Sequence, residues 1–194
     1  MILDGTEDLR VQKTIEAIHK AFEEMLYEMN YEKITVKELC ERAKINKKTF
    51  YRYYAVLDDL LAELQGLFTQ EYLKRIENYK VPEDLDKINR EFFLYSVEKG
   101  PLYEKITCSG SYDYIRSKMV NDVMNSKWGQ STWLQLLEPS KQAVLLEFIQ
   151  SASMAVYRKW VADGKKIPLR DMIELSNQLL CSGVNGFIEH TMPL

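Results

Sequence analysis

Ile34-Thr35-Val36-Lys37-Glu38-Leu39-Cys40-Glu41-Arg42-Ala43-Lys44-Ile45-Asn46-Lys47-Lys48-Thr49-Phe50-Tyr51-Arg52-Tyr53 is the stretch whose reading decides the fold. Thr35 is a helix-capping residue, and Glu38 follows three residues later, which makes a capping box. Ile34 and Leu39 flank that box as a hydrophobic staple, so two independent start signals agree on one boundary. The helix they start is short, about Val36 to Ala43, because Lys44-Ile45-Asn46 interrupts it. Asn46 then caps a third short helix through Tyr53 or Tyr54. Upstream, Ile15, Ile18, Phe22, Leu26 and Met29 recur at spacings of three and four, which predicts an amphipathic helix from about Leu9 to Met29. Asn30 follows it as a left-handed C-terminal residue. A long supporting helix followed by two short helices across a tight turn is a helix-turn-helix. The second short helix of such a unit fits the DNA major groove.

Charge supports the same reading. The chain carries a net charge of -3, which taken alone argues against a non-specific nucleic-acid coat. Locally the balance reverses: between Lys33 and Tyr53, seven basic residues face Glu38 and Glu41, so this element carries +5 and the remainder -8. Neutralising phosphates needs such a local focus and not a high overall pI. Phe50 is expected to face the core, leaving Lys47, Lys48, Thr49, Tyr51 and Arg52 pointing outward. Lys and Arg can reach guanine edges or phosphates, and hydroxyls can donate to phosphate. The candidate DNA-contacting residues are Thr35, Lys37, Lys44, Asn46, Lys47, Lys48, Thr49, Tyr51, Arg52 and Tyr53, with Tyr51, Lys47 and Lys48 foremost. Lys33 and Arg42 read as solvated charges.

Working outward, a longer helix is expected from Leu57, with Asp58 and Asp59 in its first turn, where acidic groups suit the positive helix end. Tyr79-Lys80-Val81-Pro82-Glu83 breaks the pattern. The expected organisation is a DNA-binding domain over 1–56, a connecting helix over 57–80, and a ligand-binding and dimerisation domain over 81–194. Within the last, helices are expected over about 82–98 (stopped by Gly100-Pro101), 102–107, 112–125, 139–162 and 169–187, with a loop near 126–131. The fold class is therefore all-α: a three-helix helix-turn-helix domain plus a C-terminal helical bundle, about nine helices in all.

Thr35-Val36 to Ala43, then Ile45-Asn46-Lys47-Lys48-Thr49-Phe50-Tyr51-Arg52-Tyr53-Tyr54 and Asp58-Asp59-Leu60-Leu61, resemble the N-terminal domain of the TetR family of transcriptional regulators over about residues 11–62. The resemblance implies an all-α homodimer with its DNA helices at the N-terminal end. Many members carry Gly where this chain has Asn30, Lys44 and Lys48, and Lys as a phosphate contact where it has Leu57. Tyr157-Arg158-Lys159-Trp160-Val161, with Gly164, Pro168 and Leu169, is similar to the end of a branch that includes dihydroxyacetone-kinase-type regulators.

Other readings are narrower. Three distant cysteines, Cys40, Cys108 and Cys181, suit reduced thiols. His19 and His190 have no ligand partner in the sequence, so no metal or cofactor is expected, and each reads as a solvated or packed histidine. No convergent nucleophile, base and orienting group is visible, so no catalytic residues and no enzyme are expected. The N-terminus is acidic and polar, and no apolar run approaches a membrane span, which leads to a cytoplasmic expectation without membrane contact. The aromatics of the second part read either as core or as a cavity for a small-molecule effector, with Phe93, Tyr95, Tyr112 and Phe148 as candidate lining. Small residues in the last two helices suit a homodimer seam, and two half-sites then predict a near-palindromic double-stranded operator. The functional expectation is a DNA-binding regulator, with repression as the usual outcome. The alternative is an interaction protein or coactivator that acts through another regulator.

Overall fold

A computed structural model describes residues 8–108, 113–129 and 131–191. Among them are nine α-helices and no strands: α1 (Leu9–Glu28), α2 (Val36–Arg42), α3 (Lys47–Tyr53), α4 (Leu57–Arg75), α5 (Leu85–Cys108), α6 (Asp113–Trp128), α7 (Thr132–Gln135), α8 (Pro139–Ala162) and α9 (Leu169–Thr191), with a 3-10 turn at Tyr31–Lys33. The chain divides into two compact units, Met1–Phe68 with Ser109–Arg116, and Thr69–Cys108 with Ser117–Leu194.

The first unit follows the local signals closely. Asp8 caps α1, and Ile15, Ile18, Phe22 and Leu26 form its buried stripe. Thr35 Oγ1 accepts the Glu38 N–H at 3.2 Å, and Asn46 Oδ1 accepts the Thr49 N–H at 2.8 Å, as the caps require. Ile34 and Leu39 are both buried. Asn30 differs from expectation. It is extended, with φ -74 and ψ 148, and leads into the 3-10 turn, so α1 ends without a left-handed residue. Such a turn is too short to give a periodic signal in sequence.

Between α2 and α3 the left-handed residue is Lys44, with φ 55. The Ile45 N–H reaches back to Cys40 O at 3.0 Å and the Lys44 N–H to Glu41 O at 3.3 Å. This is a Schellman closure, which normally takes glycine at that position. Lys44 therefore holds a conformation that an L side chain adopts at a cost of roughly 1–2 kcal/mol.

The second unit meets expectation at Gly100, whose φ of 72 kinks Leu85–Cys108 into the two helical stretches expected on either side of Gly100-Pro101, and departs from it further along. α6 continues to Trp128, into the expected loop, and α7 follows as an unexpected single turn. Two apolar clusters hold the unit. One joins Leu85 of α5 and Trp128 of α6 to Leu145 and Ile149 of α8 and Leu180 and Val184 of α9. The other packs Phe93 against Tyr157, Trp160, Met172 and Ile173. Burying a side chain of this size stabilises by roughly 1.5–3 kcal/mol. Trp160 adds a hydrogen bond from its ring N–H to Ile167 O at 2.7 Å, which closes the α8–α9 turn. Among the described residues, no helix is long and apolar enough to cross a membrane.

Candidate nucleic-acid interface

The expected recognition helix, α3, is anchored through one side and open on the other. Phe50 is fully buried, and its ring lies 5.6 Å from that of Tyr54. Tyr54 shares a 3.0 Å hydrogen bond with His19 of α1, and His19 also lies 3.5 Å from the Glu63 carboxylate of α4. Burial pushes the Tyr54 hydroxyl up to about 12 and holds the His19 imidazole below its ordinary value. His19 is thus a packed residue that ties the end of α3 to α1 and α4.

On the open side lie Lys47, Lys48, Tyr51 and Arg52, all exposed, with Lys44 beside them in the turn. Tyr51 is 54% exposed, unusual for a large aromatic side chain. Among the described residues, no carboxylate pairs with Lys44, Lys47, Lys48 or Arg52, so their charges are available to a ligand. Tyr53 is half-buried. Asn46 and Thr49 are partly committed to the fold, because the Thr49 hydroxyl also donates to Asn46 Oδ1 at 3.0 Å. Thr35 is exposed at the start of α2, its side-chain oxygen occupied by the cap. Lys37 is exposed and stands 4.0 Å from Glu41, a loose surface pair of little energetic weight.

Arg42 is different from a solvated charge. Its guanidinium donates to Glu28 at 2.7 Å and to Glu38 at 3.1 Å, and these bonds raise its pKa. It clamps α1 to α2 and adds nothing to the free positive face, which reduces the local excess read from sequence. The Glu38–Arg42 spacing of four is a legible helix pair. Glu28 lies fourteen residues away from Arg42 and gave no such signal.

The start of α4 is also committed. Asp59 accepts the backbone N–H groups of Ala55 and Val56 at 3.0 and 3.2 Å, and Asp58 accepts from the Tyr31 hydroxyl. Leu57 is half-buried there, so this helix start presents no cation, and both of its carboxylates are engaged within the unit.

In the second unit, an apolar cavity of about 100 Å³ lies among α4, α5, α6, α8 and α9, with Phe92, Tyr103, Met124, Trp128 and Met154 in its wall. Of the residues expected from sequence to line a cavity, Phe93, Tyr95 and Phe148 are not in this wall, and Tyr95 borders a separate, open pocket with Arg75 and Lys99. Phe93 is fully buried among Phe92, Tyr157 and Trp160. Tyr95 is buried below Arg75, whose guanidinium sits 5.0 Å from the ring, and its hydroxyl donates to Glu71 at 3.1 Å. Phe148 is 42% exposed on the outer side of α8, against Gly183. Tyr112 lies outside the described residues. Helical periodicity marks which side of α5 is buried, but not which buried ring borders empty space. Among the described residues, no cluster of His, Cys, Asp and Glu could hold a metal ion.

Residues 18–64 match the family model of bacterial regulatory proteins, tetR family. Solved structures share the fold. A TetR transcriptional regulator from Streptococcus agalactiae 2603V is 18% identical, with a TM-score of 0.67 over 88% of this chain and 95% of that one. The dihydroxyacetone kinase operon activator DhaS is 19% identical, with a TM-score of 0.52 over 89% of this chain and 96% of that one. The transcriptional regulator FadR from Bacillus subtilis, solved with stearoyl-CoA, is 18% identical, with a TM-score of 0.55 over 85% of this chain and 95% of that one. No curated protein sequence matches the chain.

Proposed function

We propose that this chain, a TetR-family regulator by its N-terminal domain and its fold, represses transcription by binding a near-palindromic operator as a homodimer. The observation that carries the reading is the open face of α3. Lys47, Lys48 and Arg52 flank the exposed Tyr51 ring without partner carboxylates among the described residues, while Phe50 and Tyr54 fix the helix from behind. Basic groups held this way place phosphate contacts, and the side chains that enter the groove read base edges.

The dimer is supported by an apolar stripe on the last two helices. Val144 is 70% and Leu179 57% exposed, and Phe148 and Leu175 accompany them. Exposed apolar side chains grouped in this way mark an interaction surface. A dimer brings two copies of α3 to successive major grooves, which one short helix needs for adequate affinity. The apolar cavity of the second unit supports control by a small-molecule effector whose binding shifts the population of the DNA-competent state.

A mobility-shift titration on the chain's own upstream DNA tests this reading. Binding should weaken steeply with salt. Lys48→Ala should reduce the log–log salt slope by about one, and Tyr51→Ala should weaken binding roughly ten-fold, both with unchanged helicity. Wild-type binding by both variants would remove α3 as the recognition helix. No binding at any salt concentration would favour the second reading, an interaction protein acting through another regulator. That reading draws support from the cation-free start of α4.

A further inference from the structure

We infer that Tyr51 and Val56 together form an apolar seat for the 5-methyl group of one thymine in each operator half-site, which makes them specificity-determining residues; this rests on the operator reading proposed above. An open groove of about 330 Å³ lies in the first unit beside α3, with Ile34, Val36, Tyr51, Val56 and Leu57 in its wall. Of these five only Tyr51 and Val56 are exposed, at 54% and 51%. The Tyr51 ring stands edge-to-face with that of the buried Phe50, 5.4 Å between centroids, so it is held at the mouth of the groove by the core. Val56 stands immediately before α4, where a side-chain oxygen normally caps the helix and valine is among the least favoured residues. The Asp59 carboxylate accepts the Val56 N–H at 3.2 Å, which is the reverse half of a capping box whose forward half valine cannot make. Val56 thus neither caps α4 nor fills the core. A single exposed valine is ordinary, but this one borders the same groove as an exposed tyrosine ring.

Charge selects what the groove can take. Its described wall carries Glu32 and Asp58 and no basic side chain, so a phosphate is disfavoured there. Lys47, Lys48 and Arg52 are exposed on the same helix as Tyr51, so phosphates have their partners alongside. The groove is continuous with this basic face through Tyr51, and a duplex held by the lysines therefore presents a neutral part of itself to Tyr51 and Val56. In the major groove the apolar group that projects from a base edge is the thymine 5-methyl; adenine, guanine and cytosine present polar edges there. Burying one methyl group strengthens binding about four-fold.

Deoxyuridine tests the seat, because it keeps the hydrogen-bonding edge of thymine and lacks only the methyl group. Each thymine of the duplex that the wild-type chain protects is replaced in turn, and affinity is read by fluorescence anisotropy at two salt concentrations. One position should lose about four-fold per half-site. The loss should be equal at both salt concentrations, because a methyl contact releases no counterion. Val56→Ser should cost the thymine duplex the same factor and no longer distinguish uracil at that position. Serine suits the start of a helix, so the variant keeps its fold. Lys48→Ala should bind more weakly yet keep the full methyl discrimination. A protected half-site without thymine, or tolerance of uracil at every position, would overturn the inference and leave the operator reading in place. Weaker binding by Val56→Ser with uracil tolerated would mean that the groove meets deoxyribose, and would overturn the base readout. Discrimination that survives in both Val56→Ser and Tyr51→Ala would place the methyl against other residues and overturn the role of these two. Binding of no duplex at any salt concentration would overturn the operator reading, and the inference with it.

Discussion

The helix-turn-helix and the cavity-bearing bundle are specified in different ways. In the first unit, α2 and α3 are seven residues each, too short to be stable alone. Caps at Thr35 and Asn46, the Schellman turn at Lys44 and a few buried side chains hold them. In the second unit, α5, α8 and α9 are each more than twenty residues long and are held by side chains distant in sequence, such as Phe93 with Tyr157 and Asn89 with Ser176. Short elements must declare their ends locally, because nothing else fixes them. Long elements leave their partners to packing, even where a break or an end is marked locally, as at Gly100-Pro101 and Pro139.

Core truncation gives the largest expected effect. Phe50→Ala should cost the first unit about 3–5 kcal/mol and abolish DNA binding, and Phe93→Ala should cost the second a similar amount. Amide hydrogen exchange reads the contrast: Phe50→Ala should strip protection from α2 and α3, and Phe93→Ala from α5, α8 and α9. Loss of protection throughout the chain in either variant would show a single cooperative unit and break the comparison.

Cap removal should be smaller but still visible. Asn46→Ala is expected to destabilise the first unit by about 1 kcal/mol in urea titration. Lys44→Gly should have the opposite sign. It relieves the left-handed strain against the added freedom of glycine in the unfolded chain, for a net gain of about 0.5–1 kcal/mol. It also deletes a charge from the open face, so operator affinity should fall while thermal stability rises. A variant that gains neither stability nor loses affinity would mean that Lys44 bears no strain and meets no phosphate.

The smallest effect concerns pH. The His19 pKa is lowered by burial, so the folded state favours the neutral ring. Its stabilising contribution is fully present above the unfolded value of about 6.5 and declines as pH falls through the lower folded value. Thermal unfolding of the first unit should therefore weaken below about pH 6.5, and His19→Gln should flatten that dependence. An unchanged profile in the variant would remove His19 as its cause.

Arg42 and Lys44 show how far local reading reached at the interface. Both were countable as charges in one basic element. Lys44 holds the turn whose place the surrounding caps announce. Arg42 is withdrawn from the open face by Glu28, an ion pair that forms only once α1 lies against α2. Leu57 was legible as a missing cation, while the engagement of Asp58 with Tyr31 required the folded unit.

The sequence by itself determined the all-α class, the boundaries at Thr35 and Asn46 and the outward placement of Lys47, Lys48, Tyr51 and Arg52 on α3. Those follow from hydrogen bonds and periodicities spanning three or four residues. The tertiary structure alone decided that Phe93 and Tyr95 are packed core and Phe148 an outer residue, and that Asn89, Phe92 and Trp128 border empty space. A cavity is what remains after distant helices pack, and a residue's own neighbours in the chain carry no record of that remainder.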